Sequence, residues 1–232
     1  MIRVIKNFYD DPDSIVEKAL ECKYQLISNG NYPGRDSLNR MYSSPELERK
    51  LEKVFPGGRY KMTCSRFRYA LEDDTYMSYV HADAGGKCAG WHVLVYLTKN
   101  PPYKDGLTLY ETKETGQRYW KDEDDEHVWD FPNWRPWKEI EYEYNQAVVV
   151  DYSYFHAPMN RGGFGNSIEN SRLMHIIEVI DTQRTGDENG SLFKSVGVSE
   201  HHHPYGRENN DETLTGSDTE ATSYERIEYL EH

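Results

Sequence analysis

A mainly β fold, a jelly roll or cupin-like double-stranded β-helix with N-terminal flanking helices, is what this sequence predicts. Three observations carry that prediction. Two short amphipathic segments come first, about seven runs rich in β-branched and aromatic residues follow residue 58, and Gly, Pro, Asn and Asp punctuate the intervals. Helices gathered ahead of the strands, instead of alternating with them, point to packed antiparallel sheets.

The first helix is expected over residues 15–22, capped by Asp13 or Ser14, with Ile15, Val16, Ala19 and Leu20 on one face. A second is expected over 45–55, where Leu47, Leu51 and Val54 form an apolar stripe that Gly57-Gly58 ends. Strands are then expected at 60–71, 77–83, 91–98, 107–112, 139–144, 147–155 and 172–180. Residues 113–138 break this rhythm, with five consecutive acids from Asp122 to Glu126 beside Trp120, Trp129, Trp134 and Trp137. That stretch is too long for a hairpin turn and too aromatic for a linker, so we expect an ordered loop that folds over the mouth of a site as a lid.

From Thr182 onward eleven acids face four basic residues, a net of -7 out of the chain's -13. The domain expected is therefore 1–181, with helices in 1–58 and the jelly-roll core in 59–181. A polar acidic extension covers 182–229, and 230–232 read as the start of a histidine tag. A charge of -13 argues against nucleic acid or an anionic membrane as partner. No long apolar run appears, and we expect a cytoplasmic protein acting on an unidentified small-molecule or protein substrate, with a homodimer as one allowed assembly. Cys22, Cys64 and Cys88 have no CxxC spacing and read as reduced thiols.

Chemistry concentrates in His81-Ala82-Asp83. In extended backbone, residues two apart point to the same side, so the imidazole and carboxylate can take adjacent positions around one metal. His156, closing a later apolar strand, supplies a third ligand. Two neutral nitrogens and one carboxylate on one face of an octahedral ion leave three positions open, the facial triad of non-haem Fe(II) oxygenases.

In order and context the chain resembles the prolyl-hydroxylase-like branch of the 2-oxoglutarate oxygenases. The features are His81-Ala82-Asp83, the strand Val93-Leu94-Val95-Tyr96-Leu97-Thr98, the turn and strand Asp105-Gly106-Leu107-Thr108-Leu109, then His156 and Arg172, over about residues 60–181. The resemblance implies Fe(II) at His81, Asp83 and His156, with 2-oxoglutarate held by Arg172 and by the Tyr96 phenol. O2 is the oxidant, ascorbate a reductant, and succinate a product. A planar guanidinium suits a carboxylate on physical grounds as well, through two parallel donors. Retention of Asp83 implies hydroxylation, since related halogenases replace that residue with a small one.

Two departures stand out: Thr98 replaces the family's Asn, and the interval from His156 to Arg172 is long, which makes Arg161 a rival for the carboxylate. Arg172 is preferred because it opens a strand, whereas Arg161 lies in a glycine-rich loop. His92, four residues before Tyr96 on the same strand face, reads as a core histidine with pocket lining as the alternative; His175 should face away from Arg172. His201-His202-His203 read as solvent-facing, and 31–37 as a Pro-Gly turn. The competing reading of the whole is a metal-binding cupin without oxygenase activity, or a β-sandwich binding module.

Overall fold

Two helix starts show how local chemistry sets the frame. In the computed structural model, α1 (Pro12–Leu20) begins with proline at its first turn, where no N–H is needed, and the Asp11 side chain accepts from the Ser14 N–H at 3.3 Å. The helix therefore starts three residues before the expected position. In α2 (Pro45–Val54) the Ser44 hydroxyl accepts from Leu47 N–H at 3.1 Å, and Leu47, Leu51 and Val54 are buried as the spacing predicts. Gly57 and Gly58, with φ of 84° and 64°, then turn the chain into the first long strand. The structure describes residues 1–26, 34–74, 80–83, 89–120, 133–159 and 162–183. Residues 31–33, Tyr79, Cys88, the acidic run with Trp129, Arg161 and the extension from 184 lie outside them.

Ten strands are described: β1 (Ile2–Ile5), β2 (Tyr24–Leu26), β3 (Arg35–Ser37), β4 (Tyr60–Ala70), β5 (Gly90–Tyr96), β6 (Leu107–Thr112), β7 (Trp134–Ile140), β8 (Ala147–Asp151), β9 (His156–Pro158) and β10 (Arg172–Asp181). A seven-stranded sheet has the order β1-β8-β5-β10-β4-β3-β2, and a three-stranded sheet the order β7-β6-β9. The ladders between these strands are antiparallel.

The large sheet is covered on both faces. Val93, Val95, Val149, Leu173, Ile177 and Val179 pack with Ile15, Ala19, Leu47 and Leu51 of the helices. The alternate residues Leu94, Tyr96, Val148, Val150, Met174 and Ile176 meet Leu107, Leu109 and Ile140 of the small sheet. Each fully buried aliphatic side chain contributes roughly 1.5–3 kcal/mol. Among the described residues no helix is long and apolar enough to cross a membrane.

Several expectations are corrected. Strands also precede and separate the helices, because β1 pairs along the β8 edge and β2 and β3 extend β4. The strand expected at 139–144 lies instead at Trp134–Ile140, paired with β6, so the end of the expected loop is sheet. The strand expected at 147–155 breaks after Asp151, and His156 opens a separate strand on β6. Within 80–83, the described part of the strand expected at 77–83, pairing is limited to an isolated bridge between His81 and His156.

Candidate metal centre and adjoining cavity

That bridge builds the site. His81 N–H donates to His156 O at 3.0 Å and His156 N–H returns to His81 O at 2.9 Å, which sets the two imidazoles side by side with ring centroids 4.6 Å apart. Asp83 N–H donates to Tyr152 O at 2.9 Å. Strand alternation then carries the Asp83 carboxylate to the imidazole side. His156 Nε2 lies 3.3 Å from Asp83 Oδ2 and His81 Nε2 3.6 Å from Oδ1, and one ligand atom from each of the three lies within 4.8 Å of the others. Adjacent vertices of an octahedron with bonds of about 2.1 Å stand about 3 Å apart, so a small inward movement would close these groups on one ion.

The protonation states suit a cation. His156 Nδ1 is 2.8 Å from Tyr154 O, which can only accept, so the proton sits on Nδ1 and the Nε2 lone pair is free for a ligand bond. Burial lowers the His156 imidazole to about 4, despite the opposing pull of Asp83. Burial would raise the Asp83 carboxyl, but the imidazoles of His92 and His156 and hydrogen bonds from His81 and His92 hold it well below the usual carboxylate range.

Beside this cluster a cavity runs between the sheets, lined by His156, His92, Arg172, Arg66 and Arg68 among the apolar Leu94, Leu107, Pro158, Met174 and Ile176. Arg172, buried at the start of β10, donates to Gly106 O at 3.0 Å and from Nε to Asp105 O at 3.4 Å. Gly106 is required at that contact, because a Cβ there would stand 2.0 Å from Ile140 O. Among the described residues no carboxylate pairs with Arg172. Tyr96 pairs in register with Met174, its ring stacked on Tyr142 at 4.2 Å, and its buried hydroxyl has no hydrogen-bond partner among the described residues. Burial raises this phenol, while the charge of Arg172 opposes the shift.

Thr98 replaces asparagine without leaving a defect. Its hydroxyl donates to Ser171 O at 2.6 Å and accepts from Leu173 N–H at 3.1 Å, and the Tyr142 hydroxyl donates to Leu173 O at 2.6 Å. This knot fixes the residues on either side of Arg172.

Two site features go unread in the sequence, and the pocket position of His92 is read there only as an alternative. His92 lines the cavity with Nε2 3.0 Å from Asp83 Oδ2, and Arg66 and Arg68 face the same interior. The available signal was alternation: His92, Leu94 and Tyr96 share one strand face, as do Arg66 and Arg68. The arginines are neutralised by Asp36, which Arg68 grips with two donors and which lies 2.8 Å from Arg66 Nε, and by Glu178, which pairs with Arg66. His175 faces away from Arg172, bonded to Tyr9 and Ser65. Trp134 packs with Val80, Phe155 and Ala157, and Trp120 lies against them. These are the alternates of His81 and His156, so both tryptophans back the ligand-bearing segments and do not roof the site; the lid expectation fails for them. Trp137 packs with the inner core under Arg118.

No family model and no curated protein sequence matches the chain. Solved structures do. The α-ketoglutarate-dependent epimerase SnoN from nogalamycin biosynthesis superposes with a TM-score of 0.53 at 11% identity, covering 78% of each chain. HygX from Streptomyces hygroscopicus, with nickel, 2-oxoglutarate and hygromycin B bound, gives 0.51 at 12% identity over 78% of this chain and 83% of its own. A 2OG-Fe(II) oxygenase-family oxidoreductase from Burkholderia pseudomallei gives 0.51 at 9% identity over 78% of this chain and 85% of its own. With the segments that carry His81, Asp83 and His156 and the cavity between its two sheets in place, the chain has the jelly-roll fold that these 2-oxoglutarate/Fe(II) oxygenases share.

Proposed function

We propose that this chain is an Fe(II)- and 2-oxoglutarate-dependent oxygenase that hydroxylates a small molecule or a protein side chain. One observation carries the reading: His156 of the His81-Asp83-His156 cluster lines the same cavity as the buried guanidinium of Arg172, which has no counter-ion among the described residues. His81, Asp83 and His156 would hold the metal, and Arg172 with the orphaned Tyr96 hydroxyl would hold the distal carboxylate of 2-oxoglutarate. Charge bookkeeping agrees. A dication less Asp83 leaves one positive charge and Arg172 adds another, matching two carboxylates, whereas Arg66 and Arg68 are already balanced by Asp36 and Glu178.

Bound Fe(II) and 2-oxoglutarate supply the oxidising chemistry, in which 2-oxoglutarate and O2 become succinate and CO2 while the substrate gains an oxygen atom. The chain's own residues do the rest. His156 presents Nε2 because Tyr154 O holds its other proton; Arg172, anchored on two carbonyls, would direct its remaining N–H groups at the carboxylate; Leu94, Leu107, Met174 and Ile176 give the cavity an apolar lining that excludes water. Hydroxylation is the outcome proposed because Asp83 fills the position that a halide would need. Purified protein given Fe(II), ascorbate and 2-oxoglutarate should release succinate slowly, and faster with the right member of a substrate panel. Asp83→Ala should abolish that release with the fold intact. Succinate formation that persists in Asp83→Ala would remove the assigned metal set.

A further inference from the structure

Of the three groups in the cluster, Asp83 is the most exposed. The imidazoles of His81 and His156 are almost fully buried, whereas the Asp83 side chain keeps 18% exposure and belongs to residues 80–83, which no regular ladder holds. His92 is its nearest imidazole, with Nε2 3.0 Å from Oδ2, closer than either neighbour in the cluster. Its backbone is among the most rigid in the fold: β5 is paired on both sides, with His92 opposite Glu178 on β10 and Val150 on β8, and its ring packs against Tyr152 at 4.7 Å.

The hydrogen-bond inventory of His92 narrows its role. An ionised carboxylate only accepts, so a hydrogen bond across this 3.0 Å contact requires the proton on Nε2, which leaves Nδ1 a bare acceptor when the ring is neutral. Nδ1 is buried and has no partner among the described residues. A buried acceptor without a donor weakens a fold, and an apolar side chain of similar volume would relieve it. Stability therefore gives no reason for histidine here; the contact with Asp83 does. Nor is His92 placed as a ligand, since the atoms that lie within 4.8 Å of one another come from His81, Asp83 and His156.

We propose that His92 is the positioning residue of the metal's carboxylate ligand, transmitting the rigidity of β5 to Asp83 through Nε2–H. This rests on the reading of the cluster as a metal centre. Partners at one remove from a metal typically change affinity by 10–100-fold.

The test is calorimetric titration of the full chain with Ni(II) alone, as an air-stable stand-in for iron, on wild type, His92→Leu and His92→Gln, with thermal melting of each metal-free protein. His92→Leu should bind Ni(II) about 10–100-fold more weakly while melting at or above the wild-type temperature, and His92→Gln, which keeps an N–H near Oδ2, should recover most of the affinity. Unchanged Ni(II) affinity in His92→Leu overturns the inference and leaves the metal centre standing. A lower metal-free melting temperature in His92→Leu assigns the residue to the fold instead. Loss of one nitrogen from the Ni(II) shell, read by X-ray absorption, makes it a ligand. If the wild type binds no Ni(II), the metal-centre reading itself falls.

Discussion

At the residue scale the group with most at stake is Arg172, a buried guanidinium that meets two main-chain carbonyls and, among the described residues, no carboxylate. Removing one partner of a buried charge pair costs roughly 3–5 kcal/mol, so Arg172→Ala should weaken 2-oxoglutarate binding by about 100-fold or more. Arg161→Ala should change it only a few-fold. Direct 2-oxoglutarate titration of both metal-loaded variants decides between them; a larger loss at Arg161 would transfer the role to the glycine-rich loop. The pairing of His81 with Asp83 was legible because residues two apart in an extended segment share a side, whereas His156 and Arg172 were picked out by their order along the chain and the resemblance it carries. His92 was not, because a histidine on an apolar strand is ordinarily a satisfied core group, and only the packed structure reveals the carboxylate 3.0 Å from it. Arg66 and Arg68 were hidden for a related reason. Their neutralising partner Asp36 is some thirty residues away, on a strand of three residues with no apolar alternation to announce it.

At the element scale β10 separates two environments, with Arg172, Met174, Ile176 and Glu178 toward the cavity and His175 toward the helices. His175 is fully buried between Tyr9 and Ser65, and burial, with the charge of Arg66 adding, lowers its imidazole to about 3. An unfolded histidine titrates near 6.5, so between about 6.5 and 3 the unfolded chain binds a proton that the folded chain refuses. Its stabilisation is complete above pH 6.5 and is lost at about 1.4 kcal/mol per pH unit as pH falls toward 3. His156, lowered to about 4, adds a like slope over the same window, so urea unfolding from pH 7 to 4.5 should give a slope in His175→Gln flatter than wild type by about 1.4 kcal/mol per pH unit, with stability at pH 7 lower by roughly 1–3 kcal/mol. Parallel slopes would show that other groups set the acid limb. The long strands and the second helix could be read from periodicity and capping alone. The edge strand β1 and the short β2 and β3 could not, since their residues are largely polar or exposed and their register comes from the partner strand. The misplacement of β7 has the same origin: Arg135, Pro136, Lys138 and Glu139 are exposed, and only Trp134 and Ile140 at its ends are buried.

At the scale of the whole molecule, the two sheets put apolar packing behind the His81-Asp83-His156 cluster and cationic side chains beside it. This arrangement fits an anionic co-substrate in a chain whose net charge is -13. The field of the molecule would slow such an anion's approach, and Arg172, the cavity arginine that Asp36 and Glu178 do not balance, would hold it once inside. Strand order has a consequence for how the chain can be made. β10 is the last of the described strands to leave a ribosome, yet it lies at the centre of the seven-stranded sheet, hydrogen-bonded to β4 on one side and β5 on the other. Until residue 181 emerges, β4 and β5 each present an unpaired edge, and those edges are templates for intermolecular pairing. A chain stopped after Ser171 should therefore accumulate as aggregate, whereas a synthetic peptide spanning residues 172–183, added during refolding, should return part of it to solution by occupying the vacant central position. Equal solubility of the stopped chain with and without the peptide would show that the sheet closes by another route.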